Sequence, residues 1–169
     1  QYLLDHYKEF DFIWSSPPCP SHSRARYWNS SNYDTTTEAI YPDMKLYEEI
    51  LFLQHYYRTG KYVVENVIPY YEPLITAQKR DRHLYWCNFR LPNILSTREQ
   101  AKISNEKDEV PKLCEFHKID LSSYKGTQRK DKIARNLVDF EAGLTIFNTA
   151  RGIINRSNVK IPSLFDSVF

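Results

Sequence analysis

Two short β-prone runs set most of what this chain can become. Residues 10–16 (FDFIWSS) and 61–67 (KYVVENV) are rich in branched and aromatic side chains, and prolines close both, Pro17 and Pro18 after the first and Pro69 after the second. Proline has no N–H to give a sheet ladder, so each strand has to stop there. Between them lies the clearest helical period of the chain. Met44, Leu46, Tyr47, Ile50, Leu51, Leu53 and Tyr57 recur through residues 43–58, and Gly60 stands where a helix would end. Strand, helix and strand in that order is the unit that makes a right-handed crossover between parallel neighbours. The spacing therefore predicts an α/β fold with a parallel sheet.

The rest of the chain is less regular. Residues 83–89 (HLYWCNF) form a third strand candidate. Residues 20–42 are rich in Ser, Thr, Asn and Tyr without any period, which reads as a long surface loop of the kind that often carries function. Residues 90–131 are polar and punctuated by Pro92, Pro111 and Gly126, so no element is expected there. Residues 139–154 read as a C-terminal helix interrupted or weakened by Gly143. With 169 residues the chain has length for one domain and a real core.

Composition excludes little. A net charge of +2 supports no strong claim about nucleic acid, although Arg24 and Arg26, residues 79–82 and residues 129–135 are locally basic. Aromatic residues reach 15%, which fits a Tyr-rich core and also faces that stack on bases. Cys19, Cys87 and Cys114 are an odd set without framework spacing, so a reducing, cytoplasmic setting is expected. No apolar run approaches the roughly 18 residues that a membrane span needs, so no membrane partner is expected.

Two constellations carry chemistry. The first is Ser15 to Ser23 (SSPPCPSHS), just past the carboxyl end of a strand, where open α/β sheets bind ligands. Consecutive prolines stiffen the loop and aim Cys19, which suits a nucleophile. A small buried cysteine in a turn fits the same residues. So does half of a metal site, because Cys19-x-x-His22 and Cys114-x-x-His117 are matching pairs. The second constellation is Glu65-Asn66-Val67, closing the second strand at the same expected sheet edge. A glutamate buried there would be prepared to donate or share a proton, whereas a solvated strand end would be inert.

Together the two motifs are far more specific. Pro-Pro-Cys after an apolar strand, then a helix, then Glu-Asn-Val on the next strand resembles the DNA cytosine-5 methyltransferases. The forms Ser-Pro-Pro-Cys-Pro-Ser-His-Ser and Glu-Asn-Val-Ile-Pro-Tyr-Tyr-Glu-Pro-Leu look most like compact phage and bacterial members. The resemblance implies a partial Rossmann-like, S-adenosylmethionine-dependent methyltransferase fold, with a mostly parallel sheet flanked by helices. It implies that Cys19 adds to C6 of a cytosine flipped out of double-stranded DNA, and that Glu65 hydrogen-bonds the N3 side of the ring. C5 then takes the methyl group from S-adenosylmethionine. Flipping is required because the ring face is otherwise buried in the stack.

The family also has an arginine that contacts the flipped base and leads into a strand. Arg82 matches it, within a Gln78-x-Arg80-x-Arg82 pattern. Pro17, Ser21, Asn66 and Arg80 fall where the resemblance implies substrate contacts. Pro18, Leu46 and Asn136 fall where it implies cofactor contacts, Asn136 within an Arg-Asn-Leu-Val segment that has Arg135 in place of the family's glycine. The implied organisation is a catalytic α/β part over residues 1–89, a small irregular target-recognition region over 90–131, and a C-terminal helix over 132–169 that returns to the catalytic part. No metal is implied.

One departure is large. The family opens with a strand and a Phe-x-Gly-x-Gly-Gly turn that cradles S-adenosylmethionine, and glycine occurs here only at positions 60, 126, 143 and 152. The chain also starts at Gln1 and has Met44 as its only methionine. It is therefore expected to be a piece of a longer enzyme that needs its N-terminal segment, or a complementing chain, to methylate DNA. Two other classes stay open, a non-catalytic DNA-binding or regulatory relative and a zinc-stabilised interaction module.

Overall fold

The computed structural model describes residues 2–24, 41–98 and 108–153. They fall into two compact units divided between Asn93 and Ile94. The first unit opens with helix α1 (Tyr2–His6), a 3-10 turn (Tyr7–Glu9) and strand β1 (Phe12–Ser15). It continues through helix α2 (Lys45–Tyr56), β2 (Lys61–Val67), β3 (Gln78–Arg80) and β4 (His83–Cys87). The four strands form one mixed sheet in the order β1-β2-β4-β3.

The expected strand-helix-strand unit is present. β1 and β2 run parallel, in register from Phe12 opposite Lys61 to Ser15 opposite Val64. The sheet is not mostly parallel, however, because β4 runs antiparallel to both of its neighbours. The cause is local. Only Asp81 and Arg82 separate β3 from β4, and a two-residue connection can join antiparallel strands alone. Asp81 takes the left-handed conformation (φ 48°) that this turn demands, which Asp tolerates better than most residues.

Strand alternation then divides the side chains between two faces. Ile13, Tyr62, Val64, Leu84 and Trp86 face Leu46, Tyr47, Ile50, Leu53 and Tyr57 of the α2 region, and these ten form the core cluster. Burying each large apolar side chain contributes about 1.5–3 kcal/mol. α2 ends without help from Gly60. Its last backbone bond runs from Tyr57 N–H to the Leu53 carbonyl, and Gly60 has no positive φ. Gly60 is needed for room instead, because an added Cβ would lie 2.0 Å from the Tyr57 hydroxyl and 2.5 Å from the Asp11 carbonyl.

The second unit holds three helices, α3 (Glu109–His117), α4 (Lys130–Asn136) and α5 (Phe140–Ala150). α3 was not expected, because Pro111 reads as a breaker. It occupies the third position of the helix, where the N–H has no partner to lose. Glu109 is buried and is held by the Arg135 guanidinium. Arg98 lies between the rings of Phe116 (4.1 Å) and Phe140 (4.4 Å) and pairs with Asp139 at 2.6 Å. α5 runs unbroken through Gly143, which faces open space. No helix among the described residues is long and apolar enough to cross a membrane.

Candidate active site at the Cys19–Glu65 edge

The described start of the loop after β1, residues 16–24, is stitched down by hydrogen bonds. Pro17 and Pro18 offer no N–H, but the Pro17 carbonyl accepts a bond from Asn66 Nδ2 (3.1 Å). The Cys19 carbonyl then closes a turn by accepting from the backbone N–H groups of His22 (2.9 Å) and Ser23 (3.0 Å). Tyr70 N–H donates to the His22 carbonyl (3.2 Å), Ser23 bridges Pro69, and Arg24 Nε donates to the Pro69 carbonyl (3.0 Å). Ser21 Oγ accepts from the Asp43 N–H (3.0 Å), just ahead of α2.

Beneath this loop His22 is buried, with Nδ1 2.5 Å from the Tyr71 hydroxyl, which also accepts from Tyr47 (3.3 Å). Burial lowers the His22 pKa, with the nearby Asp43 charge opposing it. The segment after Glu-Asn-Val therefore acts as the bed on which the cysteine loop lies. The motif pair seen in the sequence is a packed pair in space.

Cys19 is half-buried. Burial raises its pKa, a backbone hydrogen bond lowers it, and the negative charge of Glu65 raises it further. The thiol and the carboxylate are thus electrostatic neighbours at one sheet edge. Glu65 is only 7% exposed and lies inside β2, one residue beyond the last residue paired to β1. Its Oε2 accepts from Ser16 Oγ (3.2 Å), and its Oε1 lies 3.5 Å from His83 Nε2. His83 has its pKa lowered by burial, with Glu65 and Asp81 opposing and Arg82 reinforcing the shift. The Tyr85 hydroxyl, on the residue directly opposite Glu65, is pushed up first by burial and then by the Glu65 charge.

The other expected residues separate into groups. Asn66 is buried and is a fastener between β2 and the cysteine loop. Arg82 is exposed in the β3–β4 turn. Arg80 spends its guanidinium on the carbonyls of Pro92 (2.5 Å), Leu91 (2.8 Å) and Lys79 (2.7 Å). Gln78 does similar work, donating to the Phe89 carbonyl (2.7 Å) and accepting from Leu91 N–H (2.9 Å). The Gln-x-Arg part of that pattern therefore fastens residues 89–92 to β3.

Pro18 is exposed, Leu46 is packed in the core, and Asn136 is exposed at the end of α4 in the second unit. These three bring one amide and no charged group to S-adenosylmethionine, so they do not by themselves make a site for it. Among the described residues no group of three or more His, Cys, Asp and Glu side chains is arranged to hold a metal.

Ser16 and His83 touch the Glu65 carboxylate, and neither was singled out from the sequence. Ser16 was visible within the first motif. His83 was visible only as the start of a strand, because its face depends on which strand it pairs with. No protein-family model, curated protein or solved structure matches the chain.

Proposed function

We propose that this chain carries the base-activating chemistry of a DNA cytosine-5 methyltransferase. Cys19 is the nucleophile and Glu65 the group that meets the N3 side of the cytosine. One observation supports the reading above all others. A stiffened cysteine loop and a nearly buried glutamate meet at the same end of two parallel strands, where Ser16 donates to the Glu65 carboxylate (3.2 Å) and Asn66 donates to the Pro17 carbonyl (3.1 Å).

The chemistry follows from the two groups. The Cys19 thiol gives up its proton to solvent water and the sulfur forms a bond to C6, while the C5–C6 π electrons move toward C4 and N3. A proton shared from Glu65 meets the charge at N3, which is the step that makes C6 electrophilic. The C5 carbon is then electron-rich and ready for a one-carbon electrophile. S-adenosylmethionine as methyl donor and double-stranded DNA as substrate are what the family resemblance implies, and the base has to be flipped out to reach Cys19. A partly Rossmann-like methyltransferase architecture belongs to the same proposal. So does a role for Arg82 against the base.

Exchange of the cytosine C5 hydrogen with solvent deuterium tests this without any methyl donor. Reversible addition at C6 lets C5 take a deuteron, lose its original proton and release the thiolate. The full chain is expected to catalyse that exchange in duplex DNA, and Cys19→Ser to abolish it. Exchange that persists in Cys19→Ser, or none in the wild type at any pH, overturns the proposal.

A further inference from the structure

A polar row crosses three strands on the sheet face away from the core cluster. Trp14 Nε1–H donates to Ser16 Oγ (3.0 Å), and Ser16 in turn donates its own hydrogen to Glu65 Oε2 (3.2 Å). The directions are consistent, since the indole can only donate and so leaves the hydroxyl hydrogen for the carboxylate. The row continues to β4. Glu65 stands opposite Tyr85 and Val67 stands opposite His83, so His83 is the diagonal neighbour of Glu65 on the same face. Its Nε2 is 3.5 Å from Oε1.

We infer that His83 is the positioning residue of the Glu65 carboxyl, sharing a proton with Oε1 and so governing when Glu65 can present a hydrogen to a ligand. The two oxygens of Glu65 are not equivalent. Oε2 is held by a donor, so an added proton belongs on Oε1, the oxygen that faces the imidazole. At 3.5 Å the contact is at ion-pair distance and has to shorten by a few tenths of an ångström to become a good hydrogen bond, as contacts in unliganded sites commonly do.

His83 is partly exposed (35%) whereas Glu65 is nearly buried, so the imidazole links the Oε1 side of the carboxyl to solvent. The groups facing His83 are Glu65 from β2, Asp81 and Arg82 from the turn, and the Tyr85 ring at 6.3 Å on its own strand. Arg80 pairs with it across β3, but its guanidinium is turned to the carbonyls of Leu91 and Pro92. A proton passed to Glu65 also removes the charge that opposes the Cys19 thiolate. One group would thus tune both partners of the site.

The catalytic meaning of this pairing rests on the proposed cytosine chemistry, while the pairing itself rests on geometry alone. Two measurements on the full chain separate them. In the first, the imidazole 15N signals of His83 are titrated in the wild type, Glu65→Gln and Arg82→Gln. Removing Glu65 is expected to move the His83 midpoint down, and removing Arg82 to move it up. Coincident midpoints in wild type and Glu65→Gln overturn the pairing.

In the second, the pH profile of C5 deuterium exchange in duplex DNA is compared between wild type and His83→Gln. The variant is expected to lose the acid-side inflection and to slow by roughly 100-fold, as loosening a positioned catalytic group does. A wild-type profile retained in His83→Gln overturns the positioning role. If the wild type shows no exchange at all, the cytosine reading falls and the titration alone decides the pairing.

Discussion

Two cysteines of the first unit, Cys19 and Cys87, stand in contrasting surroundings. Both are free, half-buried and raised in pKa mainly by burial, with Cys87 pushed up to about 11. Their surroundings differ in kind. Cys87 ends β4 inside a closed set of bonds. Its thiol donates to the Phe89 carbonyl (3.2 Å) and accepts from Gln78 Nε2 (3.0 Å), with Arg80 acting on it from the side. Every partner there also fastens residues 89–92.

Cys19 instead rides a proline-stiffened loop whose backbone is tied down, and the neighbour that perturbs it is a carboxylate. Burial alone therefore does not distinguish the two thiols. What separates the two is that the polar neighbours of Cys87 are spent on backbone groups, whereas the charged neighbour of Cys19 is a carboxylate engaged by the side chains of Ser16 and His83.

The largest effect expected from breaking this contrast is on the nucleophile. Cys19→Ser should remove C5 exchange by on the order of 10⁴-fold or more, as loss of a covalent nucleophile does. Cys87→Ser should leave the exchange rate within about twofold, a change too small to count among catalytic effects. Next comes the carboxylate. Glu65→Gln should slow exchange by roughly 10²–10³-fold, the usual consequence of losing a charge-stabilising donor. It should also lower the pH midpoint of Cys19 alkylation, because the opposing charge is gone, and leave that of Cys87 unchanged.

A third pair separates stability from rate. Gln78→Ala leaves the Leu91 N–H without its acceptor, which should cost about 1–3 kcal/mol in urea unfolding with little change in exchange. Asn66→Ala frees Pro17 from β2 and should slow exchange more than it lowers stability.

The smallest effect is on pH. Burial lowers the pKa values of His22, His83 and His117, so the unfolded chain binds protons more readily than the folded one. Stability should be full above the ordinary histidine pKa of about 6.5 and decline as pH falls through that value toward the depressed ones. A urea midpoint that is the same at about pH 7.5 and about pH 5 would contradict this ordering.

The parts of this arrangement that depend on neighbours in sequence were readable from the sequence. β1, α2 and β2 follow from period and proline placement, and the two motifs fall at the expected edge. What depends on pairing was not. β3 is three polar residues without an apolar face, so nothing marked it as a strand, and without it β4 could not be known to run antiparallel. The partnership of His83 with Glu65 follows only once Val67 is seen opposite His83. Arg80 and Leu46, placed in a site by motif position, are occupied by carbonyls and by the core. Residues 25–40, most of the long loop after Cys19, lie outside the described residues, as do residues 99–107 of the expected target-recognition region.

Peptide mapping of a covalent adduct tests the central claim most directly. The full chain is incubated with duplex DNA carrying 5-azacytosine, whose ring nitrogen at position 5 makes C6 more electrophilic, and the digest is read by mass spectrometry. The nucleotide mass is expected on the peptide that contains Cys19, and to vanish in Cys19→Ser. An adduct on Cys87 or Cys114 instead, or on no cysteine at all, would contradict the assignment of Cys19 as the nucleophile.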